Sequence, residues 1–99
     1  MNTLVSVAII PLGVGDSLSS YIAEVIKVID KSGLSHCTTS MSTEIEGEWD
    51  DVMRVVKDAV SVFTDKGIRT NLILRADIRP GYVNTITSKV DKIESILNT

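Results

Sequence analysis

The chain is poor in the residues that build disulfide frameworks, stacking platforms and phosphate-tracking surfaces. One cysteine in 99 residues, Cys37, cannot close an internal disulfide, so nothing points to an oxidising compartment. The single histidine, His36, is its neighbour. On a strand the two side chains would point to opposite faces, which argues against joint metal ligation or a nucleophile and base pair. A satisfied histidine and a buried thiol are expected. Asp50 and Asp51 make no metal pair either, since neighbouring helix residues do not converge on one point. Only four aromatics occur, Tyr21, Trp49, Phe63 and Tyr82, all in helical patterns or at their starts. Ten basic residues against thirteen acidic ones give a net charge of −3, with no basic run. Without stacking bases or a cationic track, an RNA-binding sheet is excluded and no nucleic-acid partner is expected. The longest apolar run, residues 4–12, is too short to span a bilayer and lacks the basic start and small-residue cleavage site of a signal peptide. A soluble cytoplasmic protein with no membrane partner is the expectation.

What is present is organised around residues 41–56. Thr43 and Ile45 point one way while Ser42, Glu44 and Glu46 point the other, the period of two that a strand imposes. Gly47 is read as its end. Glu48, Asp50 and Asp51 then place negative charge in the first turn of a helix, where free N–H groups favour it. Trp49, Val52, Met53, Val56, Ala59, Val60 and Phe63 recur at helical steps as one apolar stripe. Trp49 is expected to pack against the sheet.

The remaining elements follow the same logic. Residues 4–10 alternate Val5, Val7 and Ile9 against Ser6, Ala8 and Ile10, which suggests a central strand ended by Pro11. The loop PLGVGD leads to Ser17, a candidate N-cap, and to a helix carrying Leu18, Ile22, Val25, Ile26 and Ile29 up to Gly33. Its two glycines lack the third glycine of a dinucleotide fingerprint and the Gly-Lys-Ser/Thr of a P-loop. A strand over residues 35–41 pairs with 41–46 as a hairpin. Helix two stops at Gly67. Residues 69–78 alternate Leu72, Leu74, Ala76 and Ile78 against Asn71, Ile73, Arg75 and Asp77. Val83, Ile86, Val90, Ile93 and Leu97 mark a third amphipathic helix.

The order β-α-β-β-α-β with a C-terminal third helix predicts an α+β, ferredoxin-like sandwich in a single domain, 1–99. Two helices would cover one sheet face. The other carries Ala8, Ile10 and Ile73 beside charges, so a partner subunit, the third helix or a ligand should cover part of it. Glu44, Glu46, Asp77, Arg75 and Arg79 form the one polar cluster this fold assembles. A cross-strand salt-bridge ladder and a pocket for a small polar cation both fit it. No His, Cys or Ser has a placed base partner, so no catalytic residues, metal or cofactor are assigned.

IIPLGVGDSLSSYI, TEIEGEWDDVM and ADIR resemble the small thiamine-binding (YkoF-like) family across essentially the whole chain. The resemblance implies an oligomer, dimer or tetramer, associating through its sheets and binding thiamine or its hydroxymethylpyrimidine moiety without catalysis. Positions matching the family motifs are Gly13, Ser17, Ser19, Thr43, Glu46, Gly47, Asp77 and Arg79. Glu46 and Asp77 suit a thiazolium cation and an aminopyrimidine. Arg75 and Arg79 suit a phosphate ester better, which leaves thiamine phosphates open. Glu46 is expected to meet the loop 13–17 and the end of the fourth strand. The competing reading is a structural or regulatory oligomerisation domain with no dedicated ligand.

Overall fold

A computed structural model describes residues 1–16, 18–81 and 85–97, with side chains left out at 85–89. The elements are β1 (Asn2–Pro11), α1 (Ser19–Lys31), β2 (Ser35–Thr38), β3 (Thr43–Glu48), α2 (Trp49–Thr64), β4 (Thr70–Ile78) and α3 (Thr85–Leu97). The strands form one sheet in the order β2-β3-β1-β4, and every pairing is antiparallel. This is the ferredoxin-like arrangement, with the chain order expected from periodicity.

The register confirms the alternation of β1. Val5 lies opposite Ile45 and Ala76, and Val7 opposite Thr43 and Leu74. These face α1 and α2, where Val5, Ile29, Ile45, Val52 and Phe63 are fully enclosed. Tyr21 meets Phe63 edge-on at 6.0 Å between ring centroids, the geometry that aromatic quadrupoles favour. Gly33 and Gly67 follow the ends of α1 and α2 with φ of 75° and 73°, left-handed backbone that a side chain would strain.

Several local expectations need correction. α1 begins at Ser19 with Leu18 as N-cap and no side-chain cap, and Ser17 lies outside the described residues, as do Tyr82 and Val83. β1 does end at Pro11, as its sequence suggests. Gly47 does not end β3, which runs on to Glu48. It is a close-approach position, because a Cβ there would stand 3.2 Å from Leu34 Cδ2 and 3.4 Å from Val52 Cγ2. Trp49 opens α2 at 36% exposure, and the buried stripe of that helix runs through Val52, Val55, Val56, Ala59 and Phe63. Cys37 is exposed, not buried, because it shares the open sheet face with Glu44 on the outer strand. Of the four β4 residues assigned to the helix side, only Leu74 packs on the core, while Leu72 and Ile78 are exposed. β4 is an edge strand that α2 covers only in part.

Candidate functional site

The sheet register sorts the candidate residues into two places. On the face away from α1 and α2, Glu46, Leu4 and Asp77 share one cross-strand row, and Glu44, Ser6 and Arg75 share the next. Glu46 is only 5% exposed and its Oε2 accepts a hydrogen bond from Asn2 Nδ2 at 2.9 Å. Arg79 continues this end, donating its backbone N–H to Asn2 O at 3.0 Å. α3 contacts β3 from outside, and Val90 and Ile93 wall a cleft of about 400 Å³ over Ser6, Glu44, Arg75 and Asp77. So the polar cluster exists and the third helix partly roofs it. Ser6 Oγ, in its middle, donates to Ser42 Oγ at 3.0 Å.

The other place lies on the opposite face, at the far end of β1. A cavity of about 180 Å³ opens between α1 and the turn 39–42, with Val7, Ile9, Ile22 and Ile26 as apolar walls and Ser40 and Thr43 among its polar lining. Thr43 is 8% exposed; its hydroxyl has one long contact, 3.4 Å to Thr38 Oγ1. The turn is rigidly tied, since Thr39 Oγ1 donates to Ser42 O at 2.9 Å and accepts from the N–H groups of Met41 and Ser42. Beyond Ile22 and Ile26, which line both, a shallow groove continues past Leu18 and Ser19 to Asp16.

Glu46 therefore does not meet the glycine loop. It pairs with Leu4, whereas Gly13 lies past Pro11, and seven strand residues separate the two ends by about 23 Å. Gly13, Ser19 and Thr43 belong to the α1 end, and Glu46, Asp77 and Arg79 to the other. Gly13 and Glu46 are thus about 23 Å apart along the strand, while Thr43, three residues from Glu46 on β3, is separated from it by facing the helix side of the sheet. Sequence reasoning missed the cavity because its walls come from α1, β1 and a hairpin tip whose convergence no local spacing announces. A signal was available for Asp16, which stands between the loop glycines and the helix.

His36 is engaged elsewhere, with Nδ1 2.9 Å from Leu34 O and Nε2 2.6 Å from Asp30 Oδ1. The Leu34 carbonyl, and after it the Asp30 carboxylate, raise its pKa above the usual histidine value, while partial burial opposes them. Among the described residues no trio of His, Cys, Asp or Glu side chains is placed to hold a metal ion, and no helix is long and apolar enough to cross a membrane.

A four-stranded antiparallel sheet in the order β2-β3-β1-β4, with α1 and α2 on one face, defines the class of ferredoxin-like α+β domains. Within that class, the family model described as thiamine-binding protein matches residues 5–94, and the chain belongs to this family. It is 38% identical to UPF0045 protein Mb1933 of Mycobacterium bovis, covering 98% of this chain and 96% of that one. The crystal structure of the hypothetical protein MJ1052 of Methanocaldococcus jannaschii superposes with a TM-score of 0.83 at 36% identity, over 94% of this chain and 96% of that one. A Thermotoga maritima protein assigned provisionally to thiamine biosynthesis or salvage gives a TM-score of 0.79 at 26% identity, over 94% and 99%.

Proposed function

We propose that this chain binds thiamine or its hydroxymethylpyrimidine moiety reversibly and without turnover, along α1. Membership of the thiamine-binding family supplies the thiamine-related role. The observation that carries the placement is the continuity of cavity and groove through Ile22 and Ile26, with hydroxyls at one end and Asp16 at the other. A neutral ring suits the apolar, hydroxyl-bearing end, and a thiazolium suits the carboxylate end. Ser19 and Thr43 are the motif residues that line this path; Gly13 and Ser17 are proposed for the ligand on the family motif alone. Glu46, Asp77 and Arg79 are assigned to the open face, which a second copy of the chain covers in a homo-oligomer. Binding rather than catalysis is supported by His36 being committed to Asp30 and Leu34, with Cys37 on the other face.

Isothermal titration of thiamine, hydroxymethylpyrimidine and thiamine phosphates tests this, and absence of heat at high micromolar ligand removes it. Asp16→Asn should weaken thiamine by about two- to fivefold, the value of an exposed charge pair, and leave the neutral pyrimidine unchanged. Equal losses for both ligands would show that the thiazolium does not face Asp16. The competing reading, an oligomerisation domain without a ligand, is favoured by one observation, the exposure of Ile73, Val90 and Ile93 at 57%, 50% and 58%. It predicts the same assembly with no saturable ligand.

A further inference from the structure

β1 outruns β3, and this leaves one peptide edge without a strand partner. The ladder between them ends at Val7 opposite Thr43, while β1 continues to Pro11 against β4. The direction of each main-chain group follows from the bonds at the two ends. Asn2 O accepts from Arg79 N, and Leu12 N donates to Arg69 O, so even-numbered residues of β1 address the β4 side. Met1 O accepts from Trp49 N, so odd-numbered residues address the β3 side. Antiparallel pairing makes this alternation obligatory. Ile9 is the first odd residue past the ladder. Its N–H and C=O point toward the turn 39–42, and no hydrogen bond joins them to that turn among the described residues. The next odd residue, Pro11, has no N–H to offer.

Ile9 also lines the cavity under α1 and is itself only 5% exposed. A buried donor and acceptor without partners are costly, so the site favours an occupant that satisfies both. One free residue is too short for a peptide strand to add, since such addition needs a run of alternating main-chain bonds. A cavity of about 180 Å³ has room for a single substituted ring. Its walls are apolar side chains and hydroxyls with no charged residue among them, so a neutral ring fits it best.

We infer that the main-chain N–H and C=O of Ile9 dock one planar, neutral heterocycle bearing a ring acceptor beside an amino donor, an amidine edge, in the cavity beneath α1. The Ile9 N–H donates to the ring nitrogen and the Ile9 carbonyl accepts from the amino group. Thr43 and Ser40 then lie within the same cavity for a hydroxyl substituent. This rests on the proposed function for the identity of the natural ring, an aminopyrimidine, and on strand register for the edge itself. Selectivity would accordingly be read by backbone, and side-chain substitution on β1 would alter it little.

The test uses the unmodified chain, labelled with nitrogen-15 and titrated separately with hydroxymethylpyrimidine, its counterpart lacking the 4-amino group, thiamine and 2-aminopyridine. The Ile9 amide resonance should shift and its hydrogen exchange slow on adding the amino compounds, with Leu12, which already donates to Arg69, as the unmoved reference. Loss of the amino group should weaken binding about tenfold or more, because it leaves the carbonyl unpaired. If thiamine or hydroxymethylpyrimidine binds while the Ile9 amide stays unperturbed, or if the desamino compound binds equally, the edge is overturned and the thiamine reading stands. If only 2-aminopyridine perturbs Ile9, the edge stands and the thiamine reading falls. If no compound perturbs Ile9, the edge is overturned as a group served by water alone.

Discussion

His36 sits between two acceptors, the Leu34 carbonyl and the Asp30 carboxylate, and only the imidazolium can donate to both at once. Its folded-state pKa is raised, so the stability it contributes is fully present below the ordinary histidine value of about 6.5 and is lost as pH rises through the folded value. The melting temperature of the parent should therefore fall from pH 5.5 to pH 8 more than that of His36→Gln; identical slopes would show that the contact is idle. Glu46 makes a second residue-scale case. Because it is buried and held by Asn2, Glu46→Gln should lower stability by about 1 kcal/mol and leave thiamine affinity within twofold. A tenfold loss of affinity would move the ligand to the open face. At Gly47 the limit is space, since Leu34 and Val52 crowd the absent Cβ. Gly47→Ala should cost about 1 kcal/mol and lower the melting midpoint by roughly 4–8 °C.

At the scale of elements, α2 shows how a periodic stripe differs from a buried one. Trp49 has the spacing of a core residue, yet it stands at the helix start, where the sheet no longer covers it, and keeps 36% exposure. Phe63, fourteen positions on, is fully buried against Tyr21. Phe63→Ala should cost about 3–5 kcal/mol and Trp49→Ala roughly half of that. Denaturant unfolding of the two variants checks the order, and a larger loss for Trp49 would mean that it packs in solution against something more. β4 follows the same rule. Its alternation was legible, but as an edge strand it leaves Leu72 and Ile78 exposed at 44% and 38%, a matter of what lies above the sheet.

For the whole molecule, the exposed apolar residues include Ile73 on the sheet's open face and Val90, Ile93 and Ile96 on α3. Ile73, Val90, Ile93 and Ile96 stand at 50% to 67% exposure, more than a lone soluble surface usually tolerates together. Light scattering at micromolar concentration should accordingly give a dimer or larger, and a monomer would contradict the assembly. The element order, the faces of β1 and β3 and the acidic start of α2 were determined by the sequence alone, because periods of 2 and 3.6 and the charge preference of helix ends are local physics. Which candidate residues meet was decided only by the tertiary structure. Gly13 and Glu46, from two separate motifs and expected to meet, came to lie at opposite ends of β1, because antiparallel register pairs Glu46 with Leu4. The free edge of Ile9 likewise exists only because β1 is paired further along β4 than along β3, a difference in ladder length that no single strand's sequence contains.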